Sequence, residues 1–69
     1  MNKIGIIGIG MLGNAVALHL LDVGFQVTIF NRTKEKAIQL KEKGATIATS
    51  PKEVATKSEL IIISVNLLL

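Results

Sequence analysis

The chain has 69 residues, so it has room for one small domain and not for a two-domain enzyme. Hydrophobic residues make up 49% and charged residues 19%, a balance that excludes a disordered segment and predicts a packed core. Without cysteine there is no disulfide scaffold or thiolate site, and with one histidine no metal site is expected. The net charge of +3 is spread along the chain, which favours a small anionic ligand over nucleic acid.

The two apolar ends of the sequence predict neither a secretory leader nor a membrane anchor. Four glycines interrupt the apolar run after Lys3, unlike the core of a signal peptide. The run from Leu60 to Leu69 is about half the length that spans a bilayer. Together with the missing cysteines, this predicts a cytoplasmic chain without a membrane partner.

The first elements in chain order are a strand, a helix and a second strand. The nearly continuous β-branched run Lys3–Gly8 is typical of a strand covered on both faces. Strong helix formers over Met11–Val23 predict a helix that ends at Gly24. The segment Phe25–Phe30 then predicts the second strand.

The first helix is apolar over most of its surface. Leu12, Ala15, Val16, His19 and Val23 recur at three- and four-residue spacing, which predicts one buried face. On that face, His19 is expected to be a hydrogen-bonded core residue and not an acid or base. The carboxylates form no evident pair either, so no catalytic residue is predicted.

The second half of the sequence predicts a second helix, followed by a third strand, a third helix and a fourth strand. Thr33 as N-cap and Gly44 as C-terminal stop frame a second, solvent-facing helix. Ala45–Ala48 predicts a brief third strand, and Leu60–Val65 predicts a fourth, buried strand.

Between those strands, Ser50 followed by Pro51 opens a short helix that extends through Ala55. The order β-α-β-α-β-α-β predicts the α/β class, with a partial Rossmann-type parallel sheet truncated before its second half.

The glycine-rich segment Gly8-Ile9-Gly10-Met11-Leu12-Gly13 follows a strand and opens a helix, the context of a dinucleotide-binding turn. Gly8 permits a tight turn, Gly10 removes a side chain where the pyrophosphate approaches, and Gly13 permits close packing of the helix on the strand. The free N–H groups and positive end of the helix then face the phosphates. The alternative is a purely structural glycine turn.

The segment Asn31-Arg32-Thr33, at the end of the second strand, indicates which nucleotide binds. NAD-binding versions usually carry an acidic residue there. Arg32 can instead pair with a 2'-phosphate and stack on adenine, Thr33 can donate a hydroxyl, and Lys36 adds positive charge. The predicted cofactor is therefore NADP. The alternative is that Asn31 is only a turn residue, Thr33 only a helix cap and Arg32 a solvated side chain.

The carboxyl end of the fourth strand lies where ligands bind in open α/β sheets. The residues expected to line the cofactor there are Ser64, Val65 and Asn66.

With these residues in place, the chain resembles the N-terminal region of the β-hydroxyacid dehydrogenases, which include 3-hydroxyisobutyrate and 6-phosphogluconate dehydrogenases and imine reductases. Residues 6–13 with Ala17, His19 and Leu20 are similar to the glycine-loop signature of that family. The NADP-selecting segment is matched by residues 31–33 with Lys36-Ala37, and the third-strand region by Gly44-Ala45 with residues 50–54. Departures are Leu12 and Val16, where the family usually has methionine, and the apolar tail Leu67–Leu69.

The resemblance implies hydride transfer between NADP(H) and a small hydroxy acid, carbonyl or imine. The catalytic lysine and the substrate-binding segment of the family lie far downstream of the positions matched here. We therefore expect residues 1–69 to be the N-terminal part of a dinucleotide-binding domain, without the catalytic domain. The small-molecule substrate would then bind only to a full-length parent.

Two other functions remain open from the sequence. A free-standing nucleotide-binding or interaction module would self-associate through the apolar edge formed by Leu60–Val65 and Leu67–Leu69. A pyrroline-5-carboxylate reductase also has a similar glycine turn and a segment like Asn31-Arg32-Thr33. Gly44-Ala45 and Ser50-Pro51 favour the first family.

Overall fold

The computed structural model describes residues 2–64 and confirms an α/β fold in the predicted order β-α-β-α-β-α-β. The elements differ from their predicted bounds by one or two residues at their ends. They are β1 (Lys3–Ile7), α1 (Met11–Asp22), β2 (Gln26–Phe30), α2 (Lys34–Lys41), β3 (Thr46–Ile47), α3 (Pro51–Lys57) and β4 (Leu60–Ile63).

The four strands form one parallel sheet in the order β3-β2-β1-β4. In the middle of the sheet, Ile4 of β1 lies opposite Val27 of β2 on one side and Leu60 of β4 on the other. This is the order of the first four strands of a doubly wound nucleotide-binding sheet, so the Rossmann-type prediction is confirmed. The chain adds β2 and β3 on one side of β1 and then crosses to the other side to form β4, so the strand order reverses between β1 and β4. In open α/β sheets, ligands bind at the carboxyl ends of the strands at such a point.

Helices cover both faces of β1, as its continuous apolar run predicted. Ile6 and Ile29 are fully buried on the face that carries α1 and α2, where they form a core with Ala17. Gly5 faces the opposite side, because successive residues of a strand alternate between faces. A side chain on Gly5 would overlap the hydroxyl group of Ser58 at the end of α3.

The predicted buried face of α1 is wrong except at Val16, which is half-buried and packs against the core. Leu12 and Val23 are 74% and 54% exposed, and His19 is also exposed, so His19 is not a core residue. The helix instead buries Gly13 and Ala17. Because α1 is apolar around most of its circumference, residue spacing alone does not select a face. The two small residues, four positions apart, let the helix approach the sheet closely.

The prediction that β4 is a buried strand is also wrong. Leu60, Ile61 and Ile63 expose 45%, 37% and 68% of their surface. Within residues 2–64, β4 is one of the two outer strands and pairs with β1 alone, so one of its edges is open. Its apolar composition fits a covered strand, but the described part of the chain contains no further strand to cover it.

The predicted start of α3 is confirmed by its hydrogen bonds. The side-chain oxygen of Ser50 accepts from the backbone N–H of Glu53 at 3.1 Å, with Pro51 at the first position of the helix. The Glu53 carboxylate accepts in turn from the backbone N–H of Thr49 at 2.6 Å and pairs with the Lys57 ammonium at 3.3 Å. The Thr49 bond, followed by the Lys57 bond, holds the pKa of Glu53 below its ordinary value.

Candidate functional site

The turn after β1 requires glycine at its first position. Gly8 has a φ of +93°, a conformation that side chains with a Cβ rarely adopt, and its N–H donates to the carbonyl of Phe30 at 2.8 Å. A Cβ on Gly8 would also overlap the carbonyl oxygen of Ser64, just beyond β4. The tight turn predicted at Gly8 is therefore confirmed, and the end of β4 lies directly against it.

The other two glycines of the turn differ in what the fold demands of them. A Cβ on Gly13 would lie 2.9 Å from the carbonyl oxygen of Gly8 and 3.0 Å from the hydroxyl oxygen of Ser64, which confirms the predicted close packing of α1. Gly10, the N-cap of α1, has a φ of −85°, which any residue adopts. The backbone conformation does not require glycine at that position, so ligand approach remains the predicted reason for it.

The first turn of α1 offers hydrogen-bond donors to an anion. The first bond of the helix runs from the Asn14 N–H to the Gly10 carbonyl at 2.9 Å, so the N–H groups of Met11, Leu12 and Gly13 precede the helical ladder. The positive end of the helix dipole lies at the same place, and the first turn carries no acidic residue. Both features suit a phosphate group.

The end of β2 is tied to this turn through Asn31. The Asn31 side-chain oxygen accepts from the backbone N–H of Ile9 at 3.0 Å, and its amide nitrogen donates to the carbonyl of Thr33 at 2.7 Å. Arg32, between Asn31 and Thr33, is exposed, and no carboxylate pairs with it within residues 2–64. Thr33 occupies the N-cap position of α2 as predicted, but its hydroxyl makes no capping hydrogen bond.

A cleft of about 480 Å³ lies between the start of α1 and the exposed side of α2. It brings Lys36 to the glycine turn, whereas Arg32 and Thr33 are not among its lining residues. Sequence reasoning missed two polar residues of the cleft, Asn14 and Gln39. The polarity of Asn14 in an apolar helix and the spacing of Gln39 from Lys36 are visible in the sequence, but neither indicates that α1 and α2 pack side by side. The lining residues are Ile9, Gly10, Met11, Asn14, Lys36 and Gln39.

The residues around the cleft fit a phosphate-bearing nucleotide. Its described lining supplies the Lys36 ammonium and two side-chain amides and includes no carboxylate. Met11 and Leu12, at the start of α1, are 90% and 74% exposed, so apolar surface is also available beside the donors. Donors with an adjacent apolar surface are typical of sites for small molecules that carry both polar and apolar groups.

Several other predictions concern residues away from this cleft. Val65 and Asn66, expected to line the cofactor, lie outside the described residues. His19 lines a separate open depression at the other end of α1, together with Asp22 and Lys43. Within residues 2–64, no group of three or more potential metal ligands occurs, and no helix is long and apolar enough to cross a membrane.

Comparison with known proteins also indicates a nucleotide-binding domain. Residues 3–67 match the family described as the NAD binding domain of 6-phosphogluconate dehydrogenase. The chain is 44% identical over 59 residues to the probable 3-hydroxyisobutyrate dehydrogenase-like 3, mitochondrial, of Arabidopsis thaliana. That alignment covers 86% of this chain and 19% of the relative.

The fold of this chain is similar to part of two solved structures of imine reductases from Myxococcus stipitatus. One, in complex with NADP⁺, has a TM-score of 0.89 and 32% identity, and the match covers 91% of this chain and 22% of that structure. A variant in complex with NAD⁺ has a TM-score of 0.90 and 25% identity, with 94% and 22% covered.

The present chain thus spans about a fifth of the length of these proteins. The match over residues 3–67 includes the glycine turn, the Asn31 segment and all four strands. The chain belongs to this family and corresponds to the N-terminal NAD(P)-binding region of the β-hydroxyacid dehydrogenases.

Proposed function

We propose that the chain binds NADP in preference to NAD. The observation that carries the proposal is the chemistry at the end of β2, where Arg32 is exposed without a carboxylate partner in the described chain. An arginine pairs well with a phosphate, whereas the acidic residue usual in NAD-binding versions would repel it. Lys36, which lines the cleft beside the glycine turn, supplies a second positive charge.

The proposed nucleotide site combines the glycine turn with the start of α2. Backbone N–H groups of the turn would hold the pyrophosphate, and Arg32, Thr33 and Lys36 would surround the 2'-phosphate. The residues proposed to form the site are Gly8, Ile9, Gly10, Met11, Leu12, Gly13, Asn31, Arg32, Thr33, Lys36, Val65 and Asn66.

The parent activity that we propose is an NADP-dependent oxidoreductase acting on a small hydroxy acid, carbonyl or imine. Bound NADP supplies the hydride chemistry, and the residues of this chain hold and orient the nucleotide. Residues 1–69 are proposed to be the N-terminal part of the dinucleotide-binding domain, with no catalytic group of their own. The cytoplasm is the proposed compartment because cysteine is absent, although several relatives are named as mitochondrial.

Titration of the chain with NADPH, followed by amide NMR, tests the position of this site. We expect the amide signals of Gly10, Met11 and Lys36 to shift in a saturable way, because phosphate groups polarise the N–H groups that they contact. The amides of Leu18 and Lys43, beside the separate depression at the far end of α1, are the internal control and should stay in place. Shifts confined to Leu18 and Lys43 would contradict the proposed site.

We also propose a second function, that of an interaction module. In this role the chain self-associates through β4. The exposed apolar residues Leu60, Ile61 and Ile63 lie on β4, an outer strand of the described sheet, and such an edge can pair with another strand. Size-exclusion chromatography with light scattering should show a dimer without nucleotide. Ile63→Lys should restore the monomer, whereas Ile38→Lys, at an exposed residue of α2, should leave the dimer intact. A monomeric unsubstituted chain contradicts self-association.

A further inference from the structure

Asn31 uses both ends of its side-chain amide within the protein. Its oxygen accepts from the N–H of Ile9 at 3.0 Å, across 22 residues of sequence. Its nitrogen donates to the carbonyl of Thr33 at 2.7 Å. The side chain is half-buried, in contrast to the exposed Arg32 next to it.

These two bonds link the glycine turn, which is proposed to hold the pyrophosphate, to the segment proposed to hold the 2'-phosphate. Ile9 directly precedes Gly10 in the glycine turn, and Thr33 directly precedes α2. The bond from Ile9 also commits an N–H group of the turn, which leaves phosphate binding to the donors that follow it. Asn31 therefore joins the glycine turn to the backbone on either side of Arg32.

We propose that Asn31 is a positioning residue, which acts on the nucleotide through the Ile9 N–H and the Thr33 carbonyl and does not select the 2'-phosphate by direct contact. This inference rests on the proposed nucleotide site. A residue that shapes the glycine turn affects every nucleotide whose pyrophosphate binds there. A residue that contacts the 2'-phosphate affects only nucleotides that carry it.

Asn31→Ala removes both bonds and separates these two roles. The affinities for NADPH and NADH should fall by the same factor, about five- to tenfold, because the missing bond disturbs the turn that both nucleotides use. In the nucleotide-free chain, hydrogen exchange of the Ile9 amide should become about tenfold faster. The Gly8 amide, which donates to Phe30 and not to Asn31, should keep its protection.

Asn31→Asp keeps the acceptor for the Ile9 N–H and loses the donor to Thr33. Protection of the Ile9 amide should persist, while the added negative charge should weaken NADPH more than NADH. Asn14→Ala, which removes a side-chain amide that lines the cleft and makes no bond to Ile9, is the matched control and should leave Ile9 exchange unchanged. Circular dichroism establishes that each variant is folded.

The positioning role is overturned if Asn31→Ala leaves Ile9 exchange unchanged or weakens NADPH alone. If Asn31→Ala does not fold, Asn31→Asp decides the question, since loss of Ile9 protection in that variant contradicts the role. The proposed NADP preference fails separately, if Arg32→Ala leaves NADPH affinity unchanged. Unchanged NADPH affinity in Arg32→Ala, together with an equal loss of affinity for NADPH and NADH in Asn31→Ala, would support the positioning role and contradict the 2'-phosphate assignment.

Discussion

Replacing Gly8 by alanine is expected to lower the free energy of unfolding by about 3 kcal/mol, the sum of backbone strain and overpacking. The φ of +93° contributes the strain, and the overlap of a Cβ with the Ser64 carbonyl contributes the overpacking. Because backbone atoms form that contact, no rotamer change relieves it. Such a loss is a large part of the stability of a small domain. Urea unfolding followed by circular dichroism measures it.

Two other glycines separate the contributions to this effect. Gly24→Ala introduces strain alone, because the φ is +100° and no described atom lies within 4 Å of the added Cβ, so we expect a loss of about 1 kcal/mol. Gly13→Ala introduces close contacts without a positive φ and should fall between the two. Equal destabilisation by Gly8→Ala and Gly24→Ala would show that the approach of Ser64 does not constrain the turn.

Replacing Arg32 by alanine is expected to weaken NADPH binding about 10- to 100-fold, the range for a charge-assisted hydrogen bond to a phosphate. NADH lacks the 2'-phosphate, so its affinity should change by less than about threefold. Isothermal titration calorimetry with both nucleotides at one fixed ionic strength measures the two affinities, since surface electrostatics depend on salt.

The matched control for Arg32→Ala is Lys41→Ala. Lys41 is also exposed and positively charged, but it lies in the last turn of α2, away from the cleft lining. It removes one positive charge from the chain without removing a proposed phosphate ligand. An equal loss of NADPH affinity in both variants would mean that net charge, and not pairing with Arg32, attracts the nucleotide.

The features that could be predicted from the sequence depend on local chemistry. The tight turn at Gly8 needs a positive φ, and the start of α3 needs only the Ser50 side chain and Pro51. Alternation of strand and helix patterns was enough to predict the order of elements. The sequence placed Lys36 only with the segment after β2, and its position in the cleft beside the glycine turn emerged from the packing of α2.

The features that were predicted wrongly depend on what lies beside an element. The apolar sequence of α1 is compatible with several buried faces, and the exposure of His19 follows from the face that packs on the sheet. The exposure of β4 follows from its place at the edge of the described sheet, which its own residues do not encode.

The site contains details that no short motif could have specified. Asn14 and Gln39 line the cleft only because α1 and α2 pack side by side, and sequence spacing within one helix does not report that arrangement. The bond between Asn31 and Ile9 joins residues 22 positions apart, so it depends on the pairing of β1 with β2.

The central claim is that this chain holds NADP in preference to NAD. Its most direct test is calorimetric titration of the unsubstituted chain with NADPH and with NADH in the same buffer. We predict that NADPH binds at least about tenfold more tightly, because one phosphate–arginine pair contributes about 1.5 kcal/mol or more. Equal affinity for the two nucleotides, or tighter binding of NADH, would contradict the claim.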